Sequence, residues 1–174
     1  WLCNFPDGRA ILAKQTEMFF ESIPKEAWVR AVEVGEHKGT TPLFRLCGSG
    51  RGVALLVEQT QAFFESIPAE AWSKAAEVGI NKGRTPLYWL CNSADGRALL
   101  AKQTQAFFES IPGEAWLKAA EVGEHMGKTP LLWLCDTVDG RAILAQQMPA
   151  FFESIPGEAW VRVAEEGKHK GKTP

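Results

Sequence analysis

Phe107-Phe108-Glu109-Ser110-Ile111-Pro112 occurs four times in this chain, beginning also at Phe19, Phe63 and Phe151, and each copy lies 44 residues from the next. The cysteines keep the same step, at Cys3, Cys47, Cys91 and Cys135. So do the tryptophans of Glu-Ala-Trp, at Trp28, Trp72, Trp116 and Trp160, and the Thr-Pro pairs that begin at Thr41, Thr85, Thr129 and Thr173. A fixed period within roughly 20–50 residues marks a repeat architecture, in which each unit packs mainly on its neighbours. The 174 residues hold almost four periods, divided as 1–40, 41–84, 85–128 and 129–174 and forming a single solenoid. The chain opens inside a helical pattern and closes on Thr-Pro, so it reads as a fragment of a longer array.

Composition narrows the class. Hydrophobic residues make up 45% of the chain, which is ordinary for a folded protein and too rich for a disordered one. Nineteen basic against 21 acidic residues leave a formal charge of -2. That argues against nucleic-acid binding, which calls for a basic stripe. No apolar run is long enough to cross a membrane. Equivalent cysteines of stacked repeats should stand about one helix-packing distance apart, roughly 8–10 Å. Bridged cysteines need Cα atoms within about 7 Å. The four are therefore read as reduced, buried, small apolar residues, and the compartment as cytoplasmic.

One unit, Thr85 to Lys128, predicts three helices and no strand. Thr85 caps a short first helix with Pro86 at its first position, running to about Cys91. Asn92-Ser93-Ala94-Asp95-Gly96 is turn chemistry, and Asp95 is expected to cap a long second helix from Gly96 to about Ser110. Pro112 opens a third, from Pro112 to Val122, with Ala115, Trp116, Ala119 and Ala120 on its inner face and Gly123 as its C-cap. Pro149 falls inside the long helix of the last repeat, where it should kink the helix or shift its start. The fold class is thus all-α, a helical repeat solenoid with three helices per repeat.

Gly83-Arg84-Thr85-Pro86-Leu87-Tyr88-Trp89-Leu90-Cys91, with its counterparts from Gly39 and Gly127, resembles the opening of an ankyrin repeat, Gly-x-Thr-Pro-Leu-His-x-Ala-Ala. The match covers about half of each repeat. Phe44, Tyr88 and Leu132 replace the His of that motif, and the period exceeds the family's roughly 33 residues. The Pro-Gly-Glu-Ala-Trp helix stands where the family has its β-hairpin loop. Armadillo- or HEAT-like stacking is the alternative for a three-helix unit of this length. The ankyrin resemblance implies a concave groove lined by the short first helices and a non-catalytic scaffold that binds a protein or peptide there. Such arrays in intracellular bacteria often act as host-directed effectors, which would place the chain in the host cytosol.

Constant positions build the core of a repeat array, and varying ones form its surface. Trp1, Arg45, Trp89 and Trp133 share one varying position, which the resemblance puts on the groove. Trp and Arg dominate binding hot spots, so these four are the candidate partner contacts, with Phe5 and Arg51 of the following turn. The competing role is structural: the indoles pack on the next repeat and Arg45 extends its guanidinium to water.

No cofactor or metal site is expected. His37, His125 and His169 lie in Gly- and Lys-rich loops, are read as solvated, and show no zinc-ligand spacing. Glu21, Glu65, Glu109 and Glu153, like Glu33, Glu77, Glu121 and Glu165, recur once per unit, so they suit inter-repeat ion pairs better than an active site. Ser22, Ser66, Ser110 and Ser154 are expected to satisfy backbone groups at a helix junction, and Gln15, Gln59, Gln103 and Gln147 to form a hydrogen-bonded ladder between repeats. No phosphate-binding loop or nucleophile elbow occurs. Two alternatives to the scaffold are repeat-wise readout of nucleic acid through the Trp/Arg column and a consensus-designed array.

Overall fold

The computed structural model describes residues 7, 11, 19–20, 22–35 and 37–160. Among these the chain is all-helical, with no named strand, and successive repeats pack on one another. Each first helix starts at a threonine cap. Thr41, Thr85 and Thr129 accept from the N–H groups of Phe44, Tyr88 and Leu132 at 3.1, 3.0 and 3.1 Å, with a proline at the first helical position. The first helices are Pro42–Cys47, Pro86–Asn92 and Pro130–Asp136.

The second helices are capped by Ser49, Ser93 and Thr137, so the cap expected of Asp95 falls two residues earlier. They are also shorter than expected: Gly50–Val57, Ala94–Leu100 and Val138–Ala145. The predicted long helix is two helices. Thr104 turns extended (φ -75°, ψ 162°) and its hydroxyl accepts from Phe107 N–H, so it caps a separate helix, Gln105–Ser110. Thr60 does the same for Gln61–Ser66. This break explains Pro149. It occupies the first position of Pro149–Ser154, where its missing N–H costs nothing and no kink is needed.

The expected helix from Pro112 to Val122 is a single 3-10 turn, Gly113–Leu117, matched by short helices at Lys25–Val29 and Ala69–Ser73. Lys118 is extended (φ -65°, ψ 104°), and the chain then doubles back in a hairpin-like loop. Ala120 donates to Lys128 O at 3.1 Å and Gly127 to Ala120 O at 2.9 Å. The same pairs form between Ala76 and Arg84, Gly83 and Ala76, Val32 and Thr40, and Gly39 and Val32. The Trp-bearing turn therefore precedes such a loop and does not stand in its place. Gly123 lies in the loop (φ 82°) and does not cap a helix.

Neighbouring loops are joined by main chain. Glu77 N–H donates to Lys38 O at 3.1 Å, and Glu121 N–H to Lys82 O at 2.9 Å. This approach demands glycine. At Gly83 (φ 80°) a Cβ would stand 2.5 Å from Ala119 O. Of the glutamates expected in inter-repeat ion pairs, Glu77 and Glu121 form them beside these bonds, with Lys38 at 3.1 Å and Lys82 at 2.9 Å, whereas Glu65 and Glu109 accept from Gln61 and Gln105 of their own helices at 3.2 and 3.0 Å. Both ion pairs are about half exposed, so each contributes at most about 1 kcal/mol.

A continuous run of aromatic rings forms the core. Trp72 stacks on Phe64 of its own repeat (6.3 Å, 22°) and meets Phe107 of the next edge-on (5.3 Å, 85°). Trp116 repeats the pattern with Phe108 (5.9 Å, 14°) and Phe151 (5.3 Å, 89°). Each such burial stabilises by roughly 1.5–3 kcal/mol, and each ring pair adds about 0.5–1.5 kcal/mol. Ala115 and Ala120 are buried as expected, and Ala119 is half-buried. Cys47 and Cys91 are buried and free, and Cys135 is free and half-buried.

The serines behave as expected: Ser22, Ser66, Ser110 and Ser154 each donate to the carbonyl three residues back at 2.7 Å. The glutamines do not. Gln59, Gln103 and Gln147 donate to Leu55, Leu99 and Ile143 carbonyls within their own helices, and Gln15 lies outside the described residues. The inter-repeat bonds come two residues later, where Gln61 donates to Thr104 Oγ1 at 3.1 Å and Gln105 accepts from Met148 N–H at 3.3 Å. A side chain past the helix break reaches the next repeat, whereas one before it finds its own open carbonyl first.

Candidate functional site

Arg45, Trp89 and Trp133 each occupy the fourth position of a first helix, and all three are half-buried. The helix fixes them, because its other residues (Leu43 and Leu46, Leu87 and Leu90, Leu131 and Leu134) are locked in the core. Arg51 is exposed at the start of the adjoining second helix. Trp1 and Phe5 lie outside the described residues.

The indoles pack on the preceding repeat rather than the next. Trp89 meets Phe44 edge-on (6.2 Å, 78°), and Trp133 meets Tyr88 (6.3 Å, 78°). The column is thus largely structural: Arg45 Nε and Nη2 and the indole Nε1 atoms of Trp89 and Trp133 are buried, so the Arg45 guanidinium does not simply extend into water, and only part of each side chain reaches the surface.

Sequence reasoning missed the cations that lie over it. The Arg84 guanidinium stands 5.1 Å above the Trp89 ring and 5.7 Å above Tyr88, and Nη1 donates to Asn81 Oδ1 at 3.1 Å. The Lys128 ammonium lies 3.7 Å above Trp133 and donates to Asp136 Oδ2 at 2.6 Å, its side chain only 1% exposed. Desolvated cation–π contacts of this kind contribute about 2 kcal/mol. A signal was available in the column just before Thr-Pro, where Arg84 accompanies Trp89, Lys128 accompanies Trp133, and Thr40 accompanies Arg45. A cation thus precedes Thr-Pro in the two repeats whose rung is Trp89 or Trp133, and Thr40 takes its place in the repeat whose rung is Arg45.

Burial pushes the Tyr88 phenol above its ordinary pKa, opposed by the Trp133 indole and the Arg84 charge. His125, expected in solvent, instead packs edge-on against Trp133 (5.2 Å) with Nε2 3.1 Å from Glu124 Oε1. His37 is exposed, and His169 lies outside the described residues. Among the described residues no cluster of three or more His, Cys, Asp or Glu is placed to hold a metal ion. No helix among them is long and apolar enough to cross a membrane. Burial raises the thiol pKa of Cys47, Cys91 and Cys135, so these are poor nucleophiles at neutral pH. No protein-family model, no curated protein and no solved structure matches the chain.

Proposed function

We propose that the chain is a non-catalytic scaffold, an ankyrin-like solenoid, that binds a protein or peptide across its first helices and the loops beside them. The column of Arg45, Trp89 and Trp133 carries this reading: three large, half-buried side chains of hot-spot type, held on helices whose other faces are immobilised in the core. The hairpin-like loops that lead into each Thr-Pro start support the ankyrin-like comparison, although they follow the Trp-bearing turn and do not coincide with it. Three free thiols support a reducing, cytoplasmic compartment.

A displayed library of random peptides, panned against the folded chain, tests the reading. Selected peptides should lose about tenfold or more in affinity to Trp89→Ala, the loss of one central anchor at a cost of roughly 2 kcal/mol. Circular dichroism checks that the variant remains folded. Peptides whose affinity ignores Trp89, or a library that yields no binder, would overturn it.

A further inference from the structure

We infer that a second copy of this chain stacks end to end on the first, the first repeat of one copy seated on the last repeat of the other, so that the solenoid continues through the junction. The inference concerns the two ends of the stack and stands apart from the binding face proposed above.

The junctions inside the chain show how such ends fit. In each, two rings of one repeat form a socket and one Phe of the next repeat fills it. Phe20 and Trp28 receive Phe63 at 5.8 and 5.6 Å. Phe64 and Trp72 receive Phe107 at 6.1 and 5.3 Å. Phe108 and Trp116 receive Phe151 at 5.8 and 5.3 Å. Every one of these contacts is edge-on, between 77° and 89°, as the aromatic quadrupole favours.

Each end of the described stack holds one half of the same junction. Phe152 and Trp160 form the next socket. They are half-buried where Phe64, Trp72, Phe108 and Trp116 are buried, and no Phe of a further repeat stands against them among the described residues. Their ring planes lie 40° apart, against 22° and 14° in the filled sockets. A Cβ at Gly113 would run into Ser154 O of the following repeat, whereas a Cβ at Gly157, the equivalent position, meets nothing within 4 Å. Phe19 is the matching knob. It begins the same six residues as Phe63, Phe107 and Phe151, yet it is 37% exposed where those three are buried. Ile11 is 50% exposed, and its counterparts Leu55, Leu99 and Ile143 are buried.

The outer faces of a capped array are polar. These faces instead carry Ile11 and Phe19 at one end and Phe152 and Trp160 at the other. Charge agrees with the ring pattern. Glu33 holds the position of Glu77 and Glu121, which pair with Lys38 and Lys82 of the preceding loop. Lys170 holds the position of those lysines, outside the described residues. A copy that presents its Phe19 end therefore brings both the ring and the carboxylate that the internal junctions use. Two like ends cannot do so, because two sockets bring no knob and two knobs bring no socket. Contact between unlike ends leaves one of each free, so further copies can add.

Sedimentation velocity over a wide range of concentration reads the association. The unaltered chain should grow beyond a dimer as its concentration rises. Phe19→Asp changes an exposed side chain and should weaken the association about tenfold or more, with circular dichroism as the check of folding. A benzophenone analogue of phenylalanine at position 19 reads the orientation without adding charge. Its covalent dimer should join position 19 to segment 149–160 of the second copy. A chain that stays monomeric at every concentration overturns the inference, and so does a folded Phe19→Asp variant that associates as tightly as the unaltered chain. Links from position 19 to the same segment of the second copy, 19–24, overturn the head-to-tail arrangement. None of these outcomes touches the peptide-binding reading.

Discussion

Gly50 and Gly52 stand two residues apart on the helix Gly50–Val57, and replacing each by alanine should move stability in opposite directions. Neither has a positive φ, so the contrast is one of space. A Cβ at Gly50 meets nothing within 4 Å. Alanine there removes freedom from the unfolded chain and stabilises by about 0.4–1 kcal/mol. At Gly52 the Cβ would lie 2.2 Å from Leu46 O and 2.6 Å from Leu46 Cα. Both are backbone atoms of the first helix, so no side chain can swing aside, and the two helices must separate. Overpacking of this kind costs about 1–3 kcal/mol, and the clash with main chain argues for the upper end. The helix-propensity gain of about 1 kcal/mol offsets part of it. The net is a loss of about 1–2 kcal/mol for Gly52→Ala. At roughly 2–4 °C per kcal/mol for a chain of this size, its Tm should fall by about 2–8 °C, while that of Gly50→Ala rises by about 1–4 °C. Reversible melts followed by far-ultraviolet circular dichroism read both. Gly96→Ala and Gly140→Ala repeat the test, with Cβ contacts of 2.4 and 2.3 Å to Leu90 O and Leu134 O. A Gly52→Ala protein that melts at or above the unaltered chain would refute the close approach of first and second helices.

Trp116 is 0% exposed between Phe108 and Phe151, so Trp116→Ala should cost about 3–5 kcal/mol in urea unfolding; an unchanged midpoint would remove it from the core. Lys128→Thr strips a cation from Trp133 and a partner from Asp136, and it should destabilise by about 1–3 kcal/mol. Combined with Trp133→Arg, it should cost less than the sum of the single changes by about 1 kcal/mol, because the pair then copies Thr40 and Arg45; strict additivity would deny the coupling. Brief alkylation followed by peptide mapping should modify half-buried Cys135 ahead of buried Cys47 and Cys91. The pH dependence has a definite sign. Thiols of the unfolded chain ionise near pH 8.5 while the buried ones hold their protons, so the folded state binds more protons and stability should fall as pH rises above about 8.5. A melting temperature that rises across that range would contradict it.

Much of the architecture was legible before any coordinates. The 44-residue step, the Thr-Pro starts at Thr41, Thr85 and Thr129, and the aromatic core at Phe107, Phe108 and Trp116 are written in residues whose partners lie within one turn or recur at fixed spacing. The break at Thr104 was less visible, because Gln103 and Thr104 fit a helix interior as readily as a junction until the cap to Phe107 is seen. At the candidate site, the column of Arg45, Trp89 and Trp133 could be picked out by its variation alone. What covers it could not, since Arg84 and Lys128 reach it from a loop whose path depends on bonds between repeats.

The sequence by itself determined the period, the helix starts and the residues that must be buried, because capping and apolar spacing act over a few residues and need no partner. Only the tertiary structure decided where the long helix divides, that Glu77 and Glu121 bond to the main chain of the preceding loop, and that a cation sits over Trp89 and over Trp133. The break is a local cap that competes with helix continuation, and the loop-to-loop bonds join surfaces that exist only once neighbouring repeats have packed, so no window of sequence within one repeat contains those bonds.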